Sequence, residues 1–83
     1  MRRVFLALIA SCSYSTAAFA LEQFSTEAAA RQHCPHDTVV WLNLPTMIWH
    51  YKGRRWYANT KHGAYVCQKE AAADGARATH NGE

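Results

Sequence analysis

Residues 38–69 contain no aspartate or glutamate, so a pair of carboxylates for general acid–base work has no source inside that stretch. Asp37 and Glu70, just beyond its two ends, are the nearest candidates. After residue 20 one serine remains, Ser25, and the four glycines form no phosphate-cradling loop, which leaves serine-nucleophile and P-loop chemistry without their parts. None of the three cysteines forms a C-x-x-C pair of the kind that marks a zinc site. The chain also lacks an apolar run of the roughly 20 residues that a membrane helix needs. Its 83 residues bound it to one small domain. Together these shortages make a non-enzymatic protein without a cofactor the expectation.

What is present begins with an address. Met1, Arg2 and Arg3, an apolar stretch over residues 4–10, and Ala18-Phe19-Ala20 make the charged, apolar and small-residue regions of a secretory signal peptide, predicted here as residues 1–20. Cleavage after Ala20 removes Arg2 and Arg3. Seven Lys/Arg then face six Asp/Glu, and the formal net charge drops from +3 to +1. The expected product is periplasmic or secreted, with no transmembrane helix after processing. An alternative reads Ile9-Ala10-Ser11-Cys12 as a lipobox, which would anchor the protein through a lipid on Cys12.

Processing after Ala20 also removes Cys12 and leaves Cys34 and Cys67, an even pair in an exported chain. A disulfide is the expected state. The alternative use of the two sulfurs is as metal-binding thiolates beside His33 and His36.

Along the mature chain, Ser25 is the expected cap of a helix that ends near His33, before Pro35, with Glu27 and Arg31 paired across one turn. Residues 38–43, rich in β-branched and aromatic side chains, read as a central strand apolar on both faces, with Trp41 in the core. A turn at Pro45 precedes a second strand over residues 47–51. Residues 55–58 and 64–67 are the third and fourth strand candidates. Residues 68–74 are good helix formers and Gly75 is placed to stop them. The fold class expected is α+β: a small three- to four-stranded antiparallel meander with a short helix at each end and one disulfide, spanning residues 21–75. Residues 76–83, with no large apolar side chain, are expected to fray.

The order Val40-Trp41-Leu42-Asn43, Ile48-Trp49-His50, Gly53, Trp56-Tyr57, Thr60-Lys61, Gly63 and Tyr65 resembles a pattern of small, uncharacterised exported bacterial proteins, V-W-x-N…H…G-x-x-W/Y-Y-G-x-T-K-x-G-x-Y, followed by an alanine-rich helix and a glycine. The match covers about residues 34–77. Met47 and Ala58 stand where that pattern usually has glycine. A fainter similarity, through His50, the Trp56-Tyr57 pair, Thr60, the alanine-rich helix, Gly75 and Arg77, is to Ada-like modules appended to secreted nucleases. Those modules carry a cysteine framework that this sequence lacks, so no zinc site follows from the likeness. The resemblance implies an α+β miniature domain and brings no activity with it.

Within residues 38–69 lie five cations, Lys52, Arg54, Arg55, Lys61 and Lys69, interleaved with Trp41, Trp49, Tyr51, Trp56, Tyr57 and Tyr65. Basic groups beside aromatic faces hold anions and stack on flat or sugar-like ligands. The leading functional expectation is therefore an envelope-associated or accessory binding module, with Arg54, Arg55, Lys61, His50 and Trp56 as ligand-binding candidates. Its partner would be an anionic polymer or envelope component, nucleic acid included. Most such side chains in a small sheet simply form its core and its wet face. His50, inside an aromatic run, is also open to a metal role with the other histidines, or to phosphodiester cleavage with Arg54 or Arg55 in a small nuclease-like enzyme. No catalytic residue and no metal ligand is assigned by the sequence.

Overall fold

A computed structural model describes residues 21–80. The expected signal peptide, Cys12 with its alternative lipid anchor, and residues 81–83 lie outside the described residues. The order of elements is α1 (Glu27–His33), β1 (Val39–Asn43), β2 (Ile48–His50), β3 (Gly63–Cys67), α2 (Gln68–Ala73) and β4 (Arg77–Ala78). The fold is α+β, a four-stranded mixed sheet in the order β3-β1-β2-β4 with two short helices. Among the described residues no helix is long and apolar enough to cross a membrane.

β1 forms where the sequence concentrates β-branched and aromatic side chains, and it is central: it pairs antiparallel with β2 on one side and β3 on the other. Side chains alternate across a strand, so the register sorts them into two faces. Val40 and Leu42 of β1, Trp49 of β2, and Ala64 and Val66 of β3 share one face and form the core with Ala71 of α2 and Ala76. Trp41 and Asn43, with Ile48, His50, Gly63 and Tyr65 opposite them, share the other face. Trp41 is thus half-buried rather than central to the core. Its indole packs against Gly63, where any Cβ would collide with it, and its ring meets Tyr65 edge-on at 5.0 Å.

Cys34 caps the C-terminus of α1 and Cys67 ends β3; they form the expected disulfide, with Cα atoms 6.3 Å apart. α1 is further held by the fully buried Ala30 and by Phe24, whose backbone N–H and C=O both pair with Tyr65 at 2.9 Å.

Five expectations need correction. The cap of α1 is Thr26, whose Oγ1 accepts from Ala29 N at 3.1 Å; Ser25 lies one residue too early. The expected strand at 55–58 is instead a chain of turns, because Arg54 N bonds Tyr51 O, Tyr57 N bonds Arg54 O and Asn59 N bonds Trp56 O. These local bonds occupy the backbone groups that a ladder would need. The meander is not wholly antiparallel, since β4 pairs parallel to β2. That strand also moves α2 away from the end of the fold and holds residues expected to fray: Arg77 N donates to Met47 O and Thr79 N to Trp49 O, each at 3.1 Å. Ala76 is buried immediately before it.

Met47 and Ala58 are the two described non-glycine residues with positive φ, 57° and 55°. A side chain in this left-handed region costs about 1–2 kcal/mol. Ala58 is exposed and Met47 packs against the core. Ala58→Gly is therefore expected to stabilise the fold by about 0.5–1 kcal/mol, the relief being partly offset by the greater freedom of glycine in the unfolded chain. Met47→Gly loses packing and should show no such gain. Urea midpoints of the two variants check this; a destabilised Ala58→Gly would refute it.

Candidate functional site

The face carrying Trp41 and His50 is covered by α1 near Cys67 and by the 51–62 loop, and between that loop and the β1–β2 turn it remains open. The opening is a cleft of about 350 Å³. Asn43, Thr46, Ile48 and His50 form its sheet side, Trp56 and Thr60 its loop side, and Thr79 closes it beyond β4. Its polar groups are neutral hydroxyls, one amide and one imidazole. No carboxylate lines it.

The turn side is set by Thr46. Its Oγ1 accepts from Asn43 Nδ2 at 3.0 Å and from Ile48 N at 3.3 Å, while Met47 N bonds Asn43 O at 2.8 Å. His50 is buried at 7% exposure, opposite Trp41 in the β1–β2 register.

The loop is tied down along its length. Thr60 Oγ1 accepts from Trp41 Nε1 at 2.8 Å, and Leu44 N bonds His62 O at 2.9 Å. Glu27, in the first turn of α1, gathers Lys52 Nζ at 2.8 Å, Tyr57 Oη at 3.2 Å and the Arg31 guanidinium. The Lys52 hydrogen bond, with Arg31 adding to it, holds the Glu27 carboxyl below the usual carboxylate range. Tyr57 responds in the opposite direction: burial first, then the negative charge of Glu27, pushes its phenol above the ordinary value, so it stays a donor. Tyr57 also meets Tyr65 edge-on at 5.8 Å.

This anchoring presents Trp56, the one large hydrophobic residue that is exposed among those described. The Arg55 guanidinium sits over its ring, 5.0 Å from the centroid. Of the five expected ligand-binding residues, the structure brings together His50 and Trp56 as lining, with Arg55 stacked beside them. Arg54 and Lys61 are exposed but do not line the cleft. Among the described residues, the ion pairs are Arg31–Glu27, Lys52–Glu27 and His33–Glu70, so Arg54, Arg55 and Lys61 belong to none. Sequence reasoning missed Asn43, Thr46, Thr60 and Thr79. Asn43 left a trace as a polar residue ending an otherwise apolar strand, and Thr60 as a member of the Thr60-Lys61 pair before Gly63.

His50 joins no cluster of metal donors among the described residues. The group that does form is His33, Cys67 and Glu70, at the junction of α1 and α2. No protein-family model matches the chain, and no curated protein and no solved structure is significantly similar to it.

Proposed function

We propose that the protein is an exported, non-enzymatic binding module, periplasmic or secreted, that takes an anionic ring-bearing polymer at the Trp56 cleft. The observation that carries this reading is the exposed Trp56 with Arg55 over its ring at the mouth of a cleft lined by neutral hydroxyl and amide groups. A flat exposed indole stacks on sugar or base rings. The adjacent guanidinium, paired with no carboxylate, attracts the polymer's charge. Three threonines and an asparagine offer hydrogen bonds to ring hydroxyls. This lining fits an acidic polysaccharide better than a nucleic acid, because a single indole supports one ring while the rest of the wall is hydroxyl-rich. The disulfide and the lack of a long apolar helix among the described residues are compatible with export.

The test is a tryptophan-fluorescence titration at low and raised salt with a sulfated glycan, and separately with single-stranded oligonucleotide. Salt-sensitive binding of the glycan is expected, and Trp56→Ala should weaken it by about 5- to 150-fold, the range for losing one stacking platform. Arg55→Ala should weaken it and reduce its salt dependence. Lys69→Ala, on α2, should change little. The reading fails if neither polymer binds at low salt, or if Trp56→Ala binds as the parent does. Preference for the oligonucleotide would reassign the ligand.

A further inference from the structure

Four metal-competent side chains converge where α1 ends and α2 begins, away from the Trp56 cleft. His33 is the last residue of α1 and Cys34 its C-cap; Cys67 precedes α2 and Glu70 lies in its first turn. The donor atoms of His33, Cys67 and Glu70 lie within 4.8 Å of one another, and His33 Nε2 is 2.8 Å from Glu70 Oε2. The Phe24 ring packs against the His33 imidazole at 5.1 Å. Cys34 Sγ is covalently joined to Cys67 Sγ and so belongs to the same cluster. A second observation concerns the other oxygen of the same carboxylate: Glu70 Oε1 is shielded from solvent and accepts no hydrogen bond among the described residues.

We propose that reduction of the Cys34–Cys67 bond converts this cluster into a site for a zinc-class divalent cation, held by both thiolates, His33 and the Glu70 carboxylate. A dithiol reductant breaks the S–S bond, closes its own disulfide and leaves two thiols; the incoming cation displaces both thiol protons to solvent. With Zn–S bonds of about 2.3 Å at tetrahedral angles, the sulfurs stand about 3.8 Å apart. Side-chain rotation reaches that separation from Cα atoms 6.3 Å apart. Two sulfurs, one imidazole and one carboxylate make a closed four-coordinate set of the structural type. In the oxidised chain the sulfurs are bonded to each other and only His33 and Glu70 remain as donors. The cation and the disulfide therefore exclude one another while tying α1 to the start of α2 in the same way. This inference is independent of the polymer-binding reading.

The test reduces the purified exported chain, removes the reductant under argon and titrates with Co²⁺ and then Zn²⁺. One equivalent of Co²⁺ per chain is expected, with tetrahedral ligand-field bands and thiolate-to-cobalt charge transfer, bleached by Zn²⁺; the oxidised chain should show neither band. His33→Gln and Glu70→Gln should each lower the affinity of the reduced chain by at least about tenfold, the smallest loss typical even of an outer-shell partner. Both variants keep the disulfide, so circular dichroism of their oxidised forms separates folding from binding. If reduction unfolds the chain, recovery of its far-ultraviolet spectrum on adding Zn²⁺ supports the proposal. Absence of the charge-transfer band, no refolding with Zn²⁺, or affinity unchanged in both variants would overturn it.

Discussion

Cys34→Ala/Cys67→Ala is expected to lower the free energy of unfolding by about 3.5–4 kcal/mol, the chain-entropy value for a cross-link across this loop. The sequence separation is 33 residues. The size of the effect matters because a core of ~60 residues rarely supplies more than about 3–5 kcal/mol without a staple. The double variant should therefore be partly unfolded at 25 °C without denaturant, with a much lower urea midpoint than the oxidised parent. Hydrogen exchange adds a spatial readout. Apart from the bridge, α1 is held by Ala30, by the Phe24–Tyr65 backbone pair, by the Glu27 contacts and by His33–Glu70. β1 keeps two hydrogen-bonded neighbours whatever happens at Cys34. Protection should fall first in α1 and last in β1. Equal urea midpoints for the variant and the oxidised parent would show that the bridge contributes nothing to the fold.

The parts of this fold that were legible in the sequence are those with a local cause. β1 announces itself by β-branched and aromatic side chains, α1 by an i,i+4 charge pair and the proline just past its end, and the bridge by parity of cysteines. The 51–62 loop misled because its aromatic content looks like a strand. Gly53 at φ 89° and Ala58 at φ 55° belong to turns, and no alternation of polar and apolar residues runs through Arg54, Arg55, Trp56 and Tyr57. β4 was not legible at all. It is two residues long and pairs through main-chain groups, which leave no mark on side-chain pattern. Thr79 reaches the cleft only because of that pairing, so the cleft's far wall was equally hidden.

The charge count shows the same limit. Five cations with no acidic residue between 38 and 69 read as one basic strip. In three dimensions Glu27, from outside the strip, takes Lys52, and the carboxylate of Asp37 accepts from the backbone N of Lys69. What remains beside Trp56 is the guanidinium of Arg55. Counting along the chain overstated the basic surface, while the pairing of an aromatic with a neighbouring arginine was visible as adjacent letters.

Leu42→Ala should cost about 3 kcal/mol, within the range of 2–5 kcal/mol found for large-to-small changes in a closed core. Leu42 is fully buried on the central strand, opposite Trp49 in β2 and Ala64 in β3, and is among the largest fully buried side chains. Its neighbours have little freedom to fill the space. Val40 and Val66 are β-branched and stiff, and Trp49 is fixed on an interior strand. Leu42→Met, which conserves volume, should cost less than about 1.5 kcal/mol. The pair of variants separates cavity formation from any change at this position. Urea unfolding of the oxidised proteins, followed by tryptophan fluorescence, gives both numbers. A loss below about 1 kcal/mol for Leu42→Ala would mean that the face packed by α2 is not the core. The fold would then rest on the bridge and on the Trp41 face, and the cleft beside Trp56 would have no rigid sheet behind it.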